Sequence, residues 1–209
     1  MFSLILGSMS PRRRALLALL GLPFVVQVAD VDEDIITDPD PIRNVQQRAE
    51  LKGRALAAVS PPDALIIAAD TTVAIEGEML NKPADAAEAR QMLGRLRGRW
   101  HEVHTGMVLV QGERCVAVVD TTAVRMRDYS TAEIEAYIAT GDPFDKAGAY
   151  AIQHPLFAPV AELQGCYLGV MGLSICQLRP LLAEFGLVAS TDLGTLTAAH
   201  EGFGCPRLG

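Results

Sequence analysis

Leu4-Ile-Leu-Gly-Ser-Met-Ser-Pro-Arg-Arg-Arg14 sets the reading of this chain. A short apolar run ends in small residues, and three arginines follow at once. Ser10 suits a helix N-cap and Pro11 the first helical turn. The stretch therefore reads as a buried strand, a tight turn and a helix N-terminus. Such an end offers backbone N–H groups without intrahelical partners and a partial positive charge. With Arg12, Arg13 and Arg14 beside it, it makes a cradle for a polyphosphate. The same residues also describe an ordinary solvated basic helix face, so the rest of the chain has to decide.

Downstream, helical and strand patterns alternate. Gly21 and Pro23 stop the first helix, and Phe24 to Val28 has strand character. Asp30 to Asp40 is an acidic loop. Asp40-Pro41 opens a helix to about Ala58, with Pro61-Pro62 beyond it. Ala64 to Ala69 is a continuous apolar run ending at Asp70, which suits a central strand with a carboxylate at its C-terminal end. Thr71 to Ile75 extends it and Glu76-Gly77-Glu78 turns the chain. Asp85 to Arg97 is helical in pattern. Glu102 to Val110 and Arg114 to Met126 flank Gln111-Gly112 as a long hairpin. Ser130-Thr-Ala-Glu133 matches a capping box, and its helix ends at Gly141. Asp142 to Gln153 reads as a glycine-containing loop and a short strand, Val160 to Leu163 as another strand, and Leu173 to Phe185 as a closing helix. Residues 189–209 lack periodicity and are expected to be a loosely ordered tail after a single domain of residues 1–188. The fold class is α/β with a mixed sheet flanked by helices.

The 209 residues are enough for one core, and 50% hydrophobic with 21% charged residues argues for a globular fold. A net charge of −7 disfavours nucleic acid as partner but leaves room for a small anion in a local basic pocket. No apolar run reaches membrane-spanning length. The first positive charges follow the apolar start, the reverse of a secretory signal, so a cytoplasmic location is expected. Cys115, Cys166, Cys176 and Cys205 are scattered with no C-x-x-C pair, and neither a zinc site nor a disulfide framework is indicated. His101 and His104 fall on opposite faces of one strand and cannot readily share a metal. His154 and His200 are expected in loops.

Asp70 stands where α/β folds often place functional groups, though it could equally cap a turn. Glu33 lies among Asp32 and Asp34, and Lys52 and Lys82 are two of very few lysines; each also reads as a solvated surface charge. Lys146 and Gln153 lie in Gly141-Asp-Pro-Phe-Asp-Lys-Ala-Gly-Ala-Tyr-Ala-Ile-Gln153, whose glycines and proline suit a rigid binding loop.

These segments together resemble the Maf family of nucleoside triphosphate pyrophosphatases. The matching pieces are Leu6-Gly-Ser-Met-Ser-Pro-Arg-Arg13, Glu33, Lys52, Ala68-Ala-Asp-Thr-Thr72, Asn81-Lys-Pro83, His101-Glu-Val-His-Thr-Gly106 and Asp145-Lys-Ala-Gly-Ala-Tyr-Ala-Ile-Gln153, in the family's order from about residue 4 to 186. The resemblance implies an elongated α/β domain with a mixed twisted sheet, similar to inosine triphosphate pyrophosphatases. It implies hydrolysis between the α and β phosphates, a divalent cation (Mg2+ or Mn2+) and a homodimer. It implies Asp70 as general base, Ser8, Arg12, Arg13, Lys52 and Lys82 as phosphate-binding residues, and Glu33 and Asp70 as metal ligands. The Asp-Lys-Ala-Gly-Ala-Tyr…Gln pattern looks like the branch acting on dTTP and UTP, with Arg13, Thr71 and Gln153 at positions linked to base choice. Alternatives are the same reaction on 7-methyl-GTP or a modified pyrimidine nucleotide, or a nucleotide-binding regulator of cell division with little turnover. Gly165-Cys-Tyr-Leu-Gly-Val-Met-Gly-Leu173 departs from the family's usual pattern, with Gly169 in place of an Asn and Ser174 in place of a Pro. No Gly-x-x-x-x-Gly-Lys-Ser/Thr motif is present, which sets aside a P-loop kinase.

Overall fold

The computed structural model describes residues 3–208. Strand β1 (Leu4–Leu6) leads through a turn into α1 (Pro11–Ala18), with Ser10 Oγ accepting from the backbone N–H of Arg13. Then come β2 (Val25–Val26), a 3-10 turn at Glu33–Ile35 and α2 (Pro41–Ala57), which Asp40 caps at Ile42 and Arg43. The long strand β3 (Leu65–Ile75) is followed by β4 (Glu78–Leu80) and α3 (Ala86–Leu96). A hairpin of β5 (Trp100–Gln111) and β6 (Arg114–Met126) precedes α4 (Thr131–Ala139), which carries the capping box between Ser130 and Glu133. After β7 (Val160–Gln164) the chain ends in α5 (Tyr167–Val170), α6 (Ile175–Glu184) and α7 (Leu193–Ala198).

The strands form one mixed seven-stranded sheet in the order β2-β1-β3-β5-β6-β7, with β4 paired to β3. β1 runs parallel to β2 and β3, and the other pairs are antiparallel. Because β5 occupies one edge of β3 from Ile66 to Ala74, β1 and β4 must share the other. β1 covers Leu65 to Ile67 and β4 begins only at Val73. Residues 68–72 therefore have no strand on that edge, and the sheet splits at Asp70.

Side-chain alternation along β3 then sorts the chemistry by face. Leu65, Ile67, Ala69 and Val73 enter the larger core with α1, α3 and α4. Ile66 and Ala68 face α2, in a second cluster with Ala49, Leu56, Val108 and Val110. Asp70 thus falls on the α2 face and Thr71 on the other. Two glycines let α2 lie close: a Cβ on Gly106 would stand 2.5 Å from the carbonyl oxygen of Val45, and one on Gly53 would stand 2.6 Å from Cγ1 of Val108. This close approach brings Lys52 within reach of Asp70.

Several expectations change. Residues 142–153 hold no strand among the described residues; they make 3-10 turns at Asp142–Asp145 and Ala147–Ala149, with Gly148 at φ +68° against Val73. The strand expected over Phe24 to Val28 is only Val25–Val26. α6 does not close the chain. The tail, rather than being loosely ordered, carries α7, capped by Asp192, and buries Leu196 and His200. Tyr167 and Phe203 stack there at 5.4 Å. The tail has little periodicity because its order comes from contacts with the domain and not from an amphipathic helix. No helix among the described residues is long and apolar enough to cross a membrane.

Candidate active site

A cleft of about 900 Å³ opens where the sheet splits. The turn after β1 forms one wall. Ser8 is buried there, and its Oγ accepts from Ser10 N at 3.3 Å and from Nη1 of Arg13 at 3.3 Å. Arg13 is held on three sides: Nε donates to the Gly172 carbonyl at 2.8 Å and Nη2 to Thr71 Oγ1 at 3.0 Å. Thr71 lies 3.0 Å from Thr105 Oγ1, which donates to the Gly169 carbonyl at 2.8 Å. Burial pulls the Arg13 pKa down, and Asp70 and Glu33 oppose that pull. An arginine stays charged under such a pull, so a fixed cation faces the cleft.

On the α2 face, Nζ of Lys52 bonds Asp70 Oδ1 at 2.7 Å and Glu33 Oε2 at 2.9 Å. One ammonium thus gathers two carboxylates from the centre of the sheet and the acidic loop. Arg48, one helical turn before Lys52, lines the same wall with Nη1 3.9 Å from Glu33. Its i, i+4 spacing from Lys52 was the sequence signal that could have found it. Arg12 reaches Asp145 at 3.5 Å. Lys146 is buried and committed, bonding Asp142 at 2.8 Å and Asp145 at 2.6 Å. These hydrogen bonds lower both aspartate pKa values although burial alone raises them. Lys82 is exposed and lines the cleft, as does Gln153 on the opposite stretch. Arg14 turns away into a separate groove beside Phe24. The chain has three lysines, Lys52, Lys82 and Lys146, and all three line this one cleft of an acidic protein.

The cleft therefore brings together Ser8, Arg12, Arg13, Glu33, Lys52, Asp70, Thr71, Lys82 and Gln153. Chemically it presents cations for a polyanion, hard carboxylate oxygens for a divalent cation, and a carboxylate able to take a proton.

His101 and His104 lie on opposite faces of β5, as the odd spacing requires. His104 Nδ1 pairs with Thr121 at 2.9 Å; His101 Nε2 pairs at 2.7 Å with the hydroxyl of Tyr150, a cleft-lining residue. Burial pushes the His101 pKa from 6.5 down to about 4. The folded protein keeps this ring neutral while the unfolded chain protonates it, so between about pH 6.5 and 4 the unfolded state binds more protons. Its contribution to stability is complete above about pH 6.5 and is lost as pH falls toward 4, by about 3 kcal/mol at 1.36 kcal/mol per pKa unit. Urea unfolding across this range is expected to show a shallower pH dependence in His101→Gln. An unchanged slope would remove His101 as its source.

The fold changes the picture of the cysteines. The cysteines are not simply scattered: Cys166, Cys176, Cys205 and His200 converge, with ligand atoms all within 4.8 Å of one another. The folding-back of the tail makes this cluster, which no short motif announces.

A protein-family model described as Maf-like protein matches residues 3–185. The chain is 48% identical over 190 residues to a dTTP/UTP pyrophosphatase of Thermomicrobium roseum, covering 90% of this chain and 87% of the relative. It is 47% identical over 189 residues to a dTTP/UTP pyrophosphatase of Moorella thermoacetica, covering 90% and 97%. In fold it resembles a HAM1 protein from Coxiella burnetii, with a TM-score of 0.51 and 14% identity over 88% of this chain and 100% of that one.

Proposed function

The chain belongs to the Maf family, and we propose that it is a nucleoside triphosphate pyrophosphatase acting on dTTP and UTP. It cleaves between the α and β phosphates, giving the nucleoside monophosphate and pyrophosphate. The observation that carries this reading is that Arg12, Arg13 and every lysine of an acidic chain line the cleft that Asp70 also lines.

The residues act as follows. Ser8, Arg12, Arg13, Lys52 and Lys82, with the N-terminus of α1, hold the phosphate oxygens. Glu33 and Asp70 converge on one ammonium and offer the hard oxygens that Mg2+ or Mn2+ prefers. These two carboxylates would hold a divalent cation, whose chemistry there would be charge neutralisation and Lewis-acid polarisation of the phosphate. Asp70 takes the proton from the attacking water at its carboxylate, while Lys52 fixes the orientation of that carboxylate. Arg13, Thr71 and Gln153 stand at the positions linked to base choice, and Gln153 offers both a donor and an acceptor to a pyrimidine edge. The same reading extends to a homodimer acting in the cytoplasm, in keeping with the family resemblance.

The test is a panel of UTP, dTTP, CTP and GTP with magnesium present and absent, scored for pyrophosphate. Magnesium-dependent release of pyrophosphate, fastest from UTP and dTTP, is expected. Release of orthophosphate, or no release at all, would contradict the assignment. Gln153→Ala is expected to flatten the ranking of bases more than it weakens binding of bare triphosphate. A ranking identical to wild type would count against its role.

A further inference from the structure

Three cysteine sulfurs and one imidazole nitrogen meet outside the cleft, where the tail folds back on the domain. Cys166 precedes α5 and Cys176 lies in the first turn of α6, while His200 and Cys205 come from the tail. Cys166, Cys176 and His200 are buried and Cys205 is half-buried. Nε2 of His200 stands 3.6 Å from Sγ of Cys166 and 3.6 Å from Sγ of Cys176. A tetrahedral ion with a metal–sulfur bond of about 2.3 Å and a metal–nitrogen bond of about 2.0–2.1 Å holds its sulfur and nitrogen ligands about 3.6 Å apart. Nδ1 of His200 lies 2.7 Å from the Leu196 carbonyl and donates to it, which leaves Nε2 with one bare lone pair aimed at the thiols. One lone pair serves only one S–H donor well, yet two thiols stand at equal distance from it. A central cation accounts for all four groups.

We infer that Cys166, Cys176, His200 and Cys205 form a closed structural zinc site that fastens the C-terminal tail to the catalytic domain. Three sulfurs and one imidazole nitrogen within 4.8 Å of one another are a donor set that selects zinc over hard cations, and four protein ligands leave no open position for catalysis. Binding forms three S–Zn bonds and one N–Zn bond, and the three thiol protons pass to solvent. Two ligands belong to the tail beyond the region matched by the family, which ends at residue 185. A second latch lies alongside: Arg207 reaches the buried carboxylate of Asp120 at 3.4 Å. The site also braces the cleft, because Cys166 begins the segment whose Gly169 and Gly172 carbonyls hold Thr105 and Arg13.

The inference stands apart from the nucleotide reading, and its test does not use turnover. The full chain, grown with added zinc and dialysed into metal-free buffer, is expected to retain about one zinc per chain by elemental mass spectrometry. Cobalt exchanged into the site should give thiolate charge-transfer bands and the intense visible bands of a tetrahedral ion. Cys205→Ser and His200→Gln are each expected to lower zinc retention at least about tenfold, with Cys115→Ser as a control that keeps it. Cys205 is half-buried near the terminus, so its serine variant tests the metal without emptying the core. Wild-type protein without zinc and without a cobalt spectrum would overturn the inference. So would Cys205→Ser retaining zinc like wild type, or an intact mass two daltons low from a disulfide within the cluster.

Discussion

Asp70→Asn is expected to lower kcat roughly a hundredfold to ten-thousandfold, the usual cost of losing a general base, while nucleotide still binds. The substitution keeps the shape of the side chain and an oxygen able to accept from Lys52 at the position where Asp70 Oδ1 now sits 2.7 Å from Nζ. What it removes is the capacity to take a proton and the charge that favours a divalent cation. In the proposed reading Ser8, Arg12, Arg13, Lys52 and Lys82 hold the triphosphate and this substitution leaves all five in place, so calorimetric titration should give an affinity within a few fold of wild type. Steady-state turnover close to wild type would take Asp70 out of the role.

Lys52→Met should cost nearly as much, roughly a hundredfold to a thousandfold in kcat, the range seen when a preorganised electrostatic partner is lost. The methionine fills a similar volume beside α2 and carries no charge. Asp70 and Glu33 are then left facing each other with their shared ammonium gone, and like charges at such range repel. The two carboxylates should separate, with loss of both the oriented base and the paired oxygens for a cation. The variant should therefore also need more magnesium for half-maximal rate. Rates within a few fold of wild type at ordinary magnesium would show that Lys52 is a solvated side chain with no part in positioning Asp70.

The chain announced its long elements and concealed its short ones. β3 was legible because Ala64 to Ala69 is an unbroken apolar run, and the β5–β6 hairpin because strand patterns flank Gln111-Gly112. α2 and α4 were legible from Asp40-Pro41 and from the Ser130–Glu133 capping box, where a local hydrogen bond fixes the boundary. β4, at Glu78–Leu80, and α5, at Tyr167–Val170, are too short to carry a period and exist because neighbours hold them. In the cleft, residue types could be read and pairings could not. That Lys52 lies on a helix followed from its neighbours. That it joins Asp70 to Glu33 depends on Gly53 and Gly106 letting α2 approach the sheet, a tertiary fact. Lys146 looked like part of a binding loop, yet its ammonium is taken up by Asp142 and Asp145. The Cys166, Cys176, His200 and Cys205 cluster was invisible for the same reason: its spacing matches no compact metal motif, and only the fold of the tail closes it.

In the proposed reaction the cleft beside Asp70 directs water onto the α phosphorus of a pyrimidine triphosphate. Hydrolysis of UTP in water enriched in oxygen-18, followed by mass spectrometry of both products, tests this directly. One heavy oxygen is expected in the monophosphate and none in the pyrophosphate; label in the pyrophosphate would place the attack on the β phosphorus and rule out this reaction.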